Sequence, residues 1–373
     1  VHVIVPDGID DASTPSGGNA YDRHICTGLR ANGWTVHEHP AAGNWPTPDA
    51  RARAALAGAL DSVPDGAAVL LDGLVACGVP EVVEPRAGRL RMVVLVHLPL
   101  GDEVGAAPGL DELERRTLRA VRAVVATSAW AAARVIARHG LTAERVRVAT
   151  PGVEPADPAP GTDGASRLLC VGSISRTKGQ DLLVEALGAV AGSASAATAV
   201  AGRPGAVTAR PGAVTDRSWR CDLVGSLHRD PEHVAGVRRA IERHGLDECV
   251  RLTGPLTGEP LSAAFADADL LVLPSRAETY GMVVTEALAR GIPVLAAAVG
   301  GVPATLGRAP DGEVPGLLVP PADAPALAWA LRRWFDEPEL RNGLRAAAGR
   351  RREALPGWEV TSRCLARVLN QLS

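Results

Sequence analysis

The sequence predicts an α/β protein of two successive halves, each a parallel sheet with helices on its faces. Short runs of Val, Leu and Ile alternate with helical segments along all 373 residues. That length exceeds what one core usually organises, so two units of roughly 150 to 190 residues are the default. A segment rich in Pro, Gly and Ala, 150–166, interrupts the alternation near the middle, and a strand-like run restarts behind it. The expected division is a first half over 1–152, a linker over 153–165 and a second half over 166–357, with a last helix over 358–373.

Composition narrows the function. A hydrophobic content of 46% supplies two sizeable cores. No apolar run approaches the roughly 18 residues that span a bilayer, and the chain opens on a strand-like Val1–Val5 without the pattern of a signal peptide. The six cysteines are scattered, with no metal-ligand spacing, which favours a reduced compartment and a cytoplasmic protein without structural zinc. A net charge of −3 argues against a dedicated nucleic-acid binder. Of 39 basic residues only Lys178 is lysine, so it is either a chance survivor of an arginine-rich composition or chemically required.

In the first half, Val1–Val5 reads as a strand and Pro6–Ser16 as a loop. Gly17 and Gly18 then open a helix over 18–31 that Gly33 ends. Paired glycines let a ligand approach helix amides closely, although a plain loop reads the same way. Tyr21, Asp22, Arg23 and His24 fall near the helix start, where the first and last would touch an acceptor or lie on a solvated face. Trp34–Glu38 reads as the second strand; His37 and His39 share its side, but no third ligand is near, so no metal is expected. Further strands are expected at Ala67–Leu71, Met92–His97, Val121–Thr127 and Arg145–Ala149. His97 closes its strand at the carboxyl end, where open α/β sheets place ligands. Arg115, Arg116, Arg119 and Arg122 make one helix face, read as solvated, with an anionic acceptor or membrane surface as alternatives.

The second half restarts with Leu168–Gly172, then Ser173, Arg176, Lys178 and Gly179 leading into a helix. Residues 192–218 read as a surface insertion, because Arg-Pro-Gly-Ala-Val-Thr occurs twice in succession over 203–216 and two copies cannot build a solenoid. Strands follow at Arg220–Val224 and Val250–Leu252, with a helix near 231–244 between them and a turn through Leu256 after them. Leu270–Leu273 is a buried strand closed by Pro274. Behind it Glu278 lies in a loop, Gly281 turns the chain, and a helix carries Val283, Val284, Ala287 and Leu288 inward. Glu278 and Glu286 thus flank a helix N-terminus whose free N–H groups attract anions. A strand at Val294–Leu295, a Gly300-Gly301 turn, a strand near 316–320 and helices over 324–335, 338–352 and 358–372 complete the chain.

The frame from Pro274-Ser275 through Glu278, Gly281, Glu286-Ala287-Leu288-Ala289 and Gly291-Ile292-Pro293-Val294 to Gly300-Gly301-Val302-Pro303 resembles the donor site of the family 4 retaining glycosyltransferases. The resemblance implies the GT-B fold: two Rossmann-like domains facing a cleft, with a last helix crossing back to the first. It implies a bacterial enzyme that takes a nucleotide diphosphate sugar as substrate, needs no cofactor or metal and keeps the anomeric configuration. Glu278 and the amides of Tyr280, Gly281 and Met282 would then hold sugar and phosphates, Glu286 the ribose hydroxyls, and Lys178 with Gly17 and Gly18 the diphosphate. His97 would lie against the sugar, and the backbone at Leu256 would read the base. One position departs: Ser173 stands where the family has an arginine, and Arg176 is the nearest substitute. The resemblance leaves acceptor, linkage and the choice of uridine or guanosine open. A GT-B epimerase, a phosphorylase and a non-catalytic sugar binder remain as rivals.

Overall fold

The computed structural model describes residues 1–201 and 219–372. Its first half runs β1 (His2–Pro6), α1 (Gly17–Ala31), β2 (His37–Ala41), α2 (Ala50–Asp61), β3 (Ala68–Asp72), α3 (Gly73–Ala76), α4 (Pro80–Val83), β4 (Arg91–Val96), α5 (Leu110–Ala120), β5 (Ala123–Ala126), α6 (Ala129–His139) and β6 (Val146–Val148). The second runs β7 (Arg167–Val171), α7 (Gln180–Ala201), β8 (Arg220–Val224), α8 (Pro231–Arg243), β9 (Val250–Gly254), α9 (Gly258–Ala266), β10 (Leu270–Leu273), α10 (Met282–Leu288), β11 (Val294–Ala297), α11 (Val302–Leu306) and β12 (Gly316–Val319). Three helices follow: α12 (Ala324–Asp336), α13 (Pro338–Arg352) and α14 (Trp358–Asn370).

Each half is one six-stranded sheet, ordered β2-β1-β3-β4-β5-β6 and β12-β11-β10-β7-β8-β9, and every pairing is parallel. Strand residues alternate between two cores, as the pleat requires. In the first sheet Ile4, Leu71, Met92 and Val94 face one apolar cluster, while Val3, Val5, Leu70 and Val93 face another. The second cluster is completed by Leu365, Ala366, Val368 and Leu369 from α14, which returns to lie on α1. These are two Rossmann-like halves with a crossing C-terminal helix, as the sequence led us to expect.

Two expectations need correction. The second strand starts at His37, not Trp34. The Trp34 amide bonds to Leu29 O at 3.1 Å, closing the end of α1, and His37 N is the first to join β1, through Val1 O. The other concerns 192–218: α7 continues to Ala201, so the start of the supposed insertion is helical. Six alanines between 191 and 201 supply the propensity that the eye passes over when it seeks an apolar stripe. The repeat at 203–216 lies outside the described residues.

The connection between the halves is fastened mainly to the second. Asp269, fully buried, accepts hydrogen bonds from Thr162 N, Thr162 Oγ1, Gly164 N and Arg167 N. Trp334 Nε1 donates to Ala165 O at 2.9 Å. On the first half, the basic face of α5 is locally neutralised, with Arg115 on Glu112 and Arg116 on Glu84. That matches a solvated face.

Candidate active site

Both sheets reverse their order once, and open α/β sheets bind ligands at that reversal, outside the strand carboxyl ends. In the second sheet the reversal lies between β7 and β10; in the first it lies between β1 and β3. Lys178 follows β7 and Glu278 follows β10. They meet: Lys178 Nζ lies 2.6 Å from Glu278 Oε2, which also accepts from Ser275 Oγ at 3.2 Å. The Glu278 carboxylate is 12% exposed and Lys178 28%, so the pair is shielded on the protein side yet reachable from the cleft.

Gly281 caps α10 with φ 83°, a left-handed turn that a glycine adopts without strain. The helix behind it is only two turns long, so anion binding there would rest on single N–H groups more than on a long dipole. Val284, Ala287 and Leu288 are buried as expected, and Val283 is partly so.

The first half reaches the same place. Thr279 Oγ1 donates to His97 O at 2.5 Å, and Ser128 Oγ donates to Thr279 O at 2.6 Å. A Cβ on Gly17 would sit 3.5 Å from Met282 Sδ, and one on Gly18 would sit 3.2 Å from His97 Cδ2. Gly17, Gly18, His97, Glu278, Met282 and Lys178 therefore surround one region, although they span more than 250 residues of sequence.

Behind His97 lies a cluster that the sequence reading did not assemble. His97 Nε2 is 2.9 Å from Asp22 Oδ1 and 3.7 Å from Asp72 Oδ2. Burial pushes both carboxyls up, Asp22 to about 7 and Asp72, which also feels the Asp22 charge, to about 8. Burial also lowers His97, against the opposing pull of Asp72. Among the described residues these three side chains alone are close enough together to touch a single ion. Because His97 Nε2 is at hydrogen-bonding distance from Asp22 and the three polar ends lie within 4.8 Å of one another, we read them as an acid cluster and not as ligands. Asp72 was legible in principle, since it ends β3 as His97 follows β4.

Other candidates stand apart. The Arg176 guanidinium turns to α8, where Nη2 bonds Glu232 Oε2 at 2.6 Å. Ser173 lies in the turn after β7 with its carbonyl held by Gln180 Nε2. Leu256 packs on the apolar cluster around Phe265 and Ala268. Glu286 shares the α10 face of Met282, and burial raises its carboxyl while Arg290 lowers it. Tyr280 is buried with its hydroxyl on Pro151 O at 3.2 Å, which leaves its backbone for a ligand. Tyr21 is fully buried, its hydroxyl on Ala149 O at 2.8 Å, so it cannot touch an acceptor; positions 21, 25 and 29 form the core stripe of α1. His24 stacks on Trp358 with ring centroids 4.1 Å apart and faces Glu154, joining α1 to α14. His37 and His39 flank His2: the His2 and His37 rings stack with centroids 4.8 Å apart, and His2 Nδ1 and His39 Nε2 are 2.9 Å apart.

The family model "Glycosyl transferases group 1" matches residues 158–351. The chain belongs to that family. D-inositol 3-phosphate glycosyltransferase 1 of Catenulispora acidiphila is 33% identical over 306 residues, covering 78% of this chain and 66% of that protein. A D-inositol 3-phosphate glycosyltransferase of Pseudarthrobacter chlorophenolicus is 31% identical over 261 residues, covering 67% of this chain and 56% of its own length. The chain thus matches two thirds or less of the length of these relatives. Among solved structures, sucrose-phosphate synthase from Thermosynechococcus elongatus superposes with a TM-score of 0.75 at 22% identity, covering 100% of this chain and 98% of that one. Anabaena Alr3699/HepE in complex with UDP and glucose gives 0.73 at 17% identity, covering 99% of each. These neighbours show the GT-B glycosyltransferase fold. No described helix of this member of the group 1 family is long and apolar enough to cross a membrane.

Proposed function

We propose that the protein transfers a sugar from a nucleotide diphosphate to an acceptor hydroxyl with retention of configuration and without a metal ion. The carrying observation is the Lys178–Glu278 pair at the second sheet's reversal, opposite Gly17, Gly18 and His97. A lysine beside a carboxylate can hold phosphate oxygens on one side and sugar hydroxyls on the other. In this reading Lys178 and the amides of 280–282 take the diphosphate, Glu278 the sugar, Glu286 the ribose and the Leu256 backbone the base. Arg176 is occupied by Glu232, so Lys178 is the cation that stabilises the leaving group. The C1–phosphate bond breaks and the acceptor oxygen bonds C1 from the same face, its proton passing to the departing phosphate oxygen. One neighbour, Anabaena Alr3699/HepE, is described in complex with UDP and glucose and with UDP-glucose, which makes UDP the first nucleotide to try. The relatives' names make D-inositol 3-phosphate the first acceptor.

A thermal-shift panel of nucleoside diphosphates tests the donor site. A ligand at 100 times its dissociation constant stabilises by about 2.7 kcal/mol, enough to rank bases. A uridine or guanosine diphosphate should win, and no shift with any nucleotide would undo the reading. Incubation with labelled donors then separates classes: transfer or slow hydrolysis indicates a transferase, isomerised donor an epimerase, intact donor a binder. A pyridoxal-dependent phosphorylase needs a second lysine besides the phosphate-site one, and the chain has only Lys178.

A further inference from the structure

Two buried carboxyls and a partly buried imidazole face one another behind the cleft, and their hydrogens do not suffice. Asp22 projects from α1, Asp72 ends β3 and His97 follows β4. Asp22 and Asp72 are each 4% exposed. Asp72 Oδ1 is satisfied as the cap of α3, accepting from Leu74 N at 2.5 Å and Val75 N at 3.3 Å. Asp22 Oδ1 lies 2.9 Å from His97 Nε2, and a carboxylate oxygen there can only accept, so the ring hydrogen belongs on Nε2. Asp22 Oδ2 is buried with no partner of its own. Two buried carboxylates beside a single imidazole N–H would leave uncompensated charge and an orphaned acceptor, each costly in a low-dielectric interior.

One further proton removes both problems, and it has two places to go. On His97 Nδ1 it would make an imidazolium, but Asp22 Oδ2 would still lack a donor. Placed between the carboxyls, it gives Asp22 Oδ2 a partner and halves the buried charge. We propose that Asp22 and Asp72 share one proton and so act as positioning residues, holding His97 neutral with Nε2–H on Asp22 and Nδ1 as the ring's acceptor. The raised carboxyls and lowered imidazole agree with that location. The neighbouring titratable groups do not supply the proton. The Arg23 guanidinium is engaged by Asp10 and Glu38, Tyr21 presents a ring edge to His97 and donates to Ala149 O, and burial holds the Cys77 thiol up. From the second half, the Thr279 hydroxyl reaches the His97 carbonyl and not its ring.

The proposal rests on the transferase reading for its consequence, not for its test. Nitrogen-15 NMR of histidine-labelled full chain, with His97→Gln assigning the signal, should show neutral His97 protonated on Nε2 across pH 6 to 7. Above that range its shift should follow one transition as the carboxyl pair loses its proton. Asp72→Asn keeps a donor on this oxygen side at every pH, so that transition should vanish while the tautomer persists. Asp22→Ala, which removes the acceptor for Nε2–H, should change the tautomer. An imidazolium at pH 7, an Nδ1–H tautomer, or the same transition in Asp72→Asn would overturn the proposal. If the protein releases UDP from UDP-glucose, the alkaline limb of kcat/KM should move up by at least one pH unit in Asp72→Asn, and an unmoved limb would show that the pair does not govern turnover. Absence of UDP release would count against the transferase reading alone.

Discussion

Lys178 Nζ and Glu278 Oε2 are 2.6 Å apart, a contact between residues 100 positions apart that joins the turn after β7 to the turn after β10. Departure of a nucleotide diphosphate builds negative charge beside that lysine, so it stabilises the transition state more than the bound ground state. Lys178→Ala should lower kcat by roughly a hundredfold or more, the scale of one lost preorganised donor. Steady-state kinetics decides. Arg176→Ala, which breaks an exposed pair with Glu232, should leave kcat within about threefold, in line with the small worth of surface ion pairs. The opposite ranking would move the phosphate site to Arg176.

Glu286 should behave differently from Lys178. A carboxylate on ribose hydroxyls binds ground state and transition state alike, so Glu286→Gln should mainly raise the donor KM. A fall in kcat with KM unchanged would give Glu286 a part in the chemistry.

Transfer should persist in EDTA, because a lysine and backbone N–H groups do the work of a divalent cation in this reading. Loss of turnover on chelation, restored by Mg²⁺ or Mn²⁺, would show that the charge at the site is insufficient without an ion.

Stability should fall on the alkaline side for a specific reason. Burial holds the shared proton of the folded Asp22–Asp72 pair up to about 8, far above the ordinary carboxyl value of 3.8, so between these limits the folded state binds more protons than the unfolded one. Stability then decreases as pH rises from about 4 toward 8 and stays low above it. Thermal melts should show Tm dropping between pH 6 and 9, with a shallower drop in Asp72→Asn. Equal slopes for the two proteins would assign the loss to other groups.

The return of α14 onto α1 has its own test. A Cβ on Gly28 would collide with the Ser362 side chain, so Gly28→Ala should destabilise by about 1–3 kcal/mol, the usual cost of overpacking. Adding Ser362→Gly should recover part of that loss in urea unfolding. Additive losses would mean that the two helices do not meet there.

Much of this was readable in one dimension. Alternating strand and helix signals, the apolar run Leu270–Leu273, and the frame from Ser275 to Pro303 are local features, because side-chain periodicity and turn chemistry act over a few residues. They determined the two parallel-sheet halves, while the crossing last helix and the proposed donor residues followed from the family resemblance of that frame. What they could not give is who stands opposite whom. The sequence left Tyr21 open to a ligand and Arg176 free to replace the missing arginine, whereas packing turned Tyr21 into the core and Glu232 took Arg176. Asp22, Asp72 and His97 carry no shared motif, and only the order β1-β3-β4, with α1 following β1, brings the helix residue to the two strand ends. Lys178 was singled out by its rarity, but its partner was fixed by the reversal of the second sheet, which sets β7 beside β10. Contacts of that kind depend on long-range strand pairing, and no local preference encodes it.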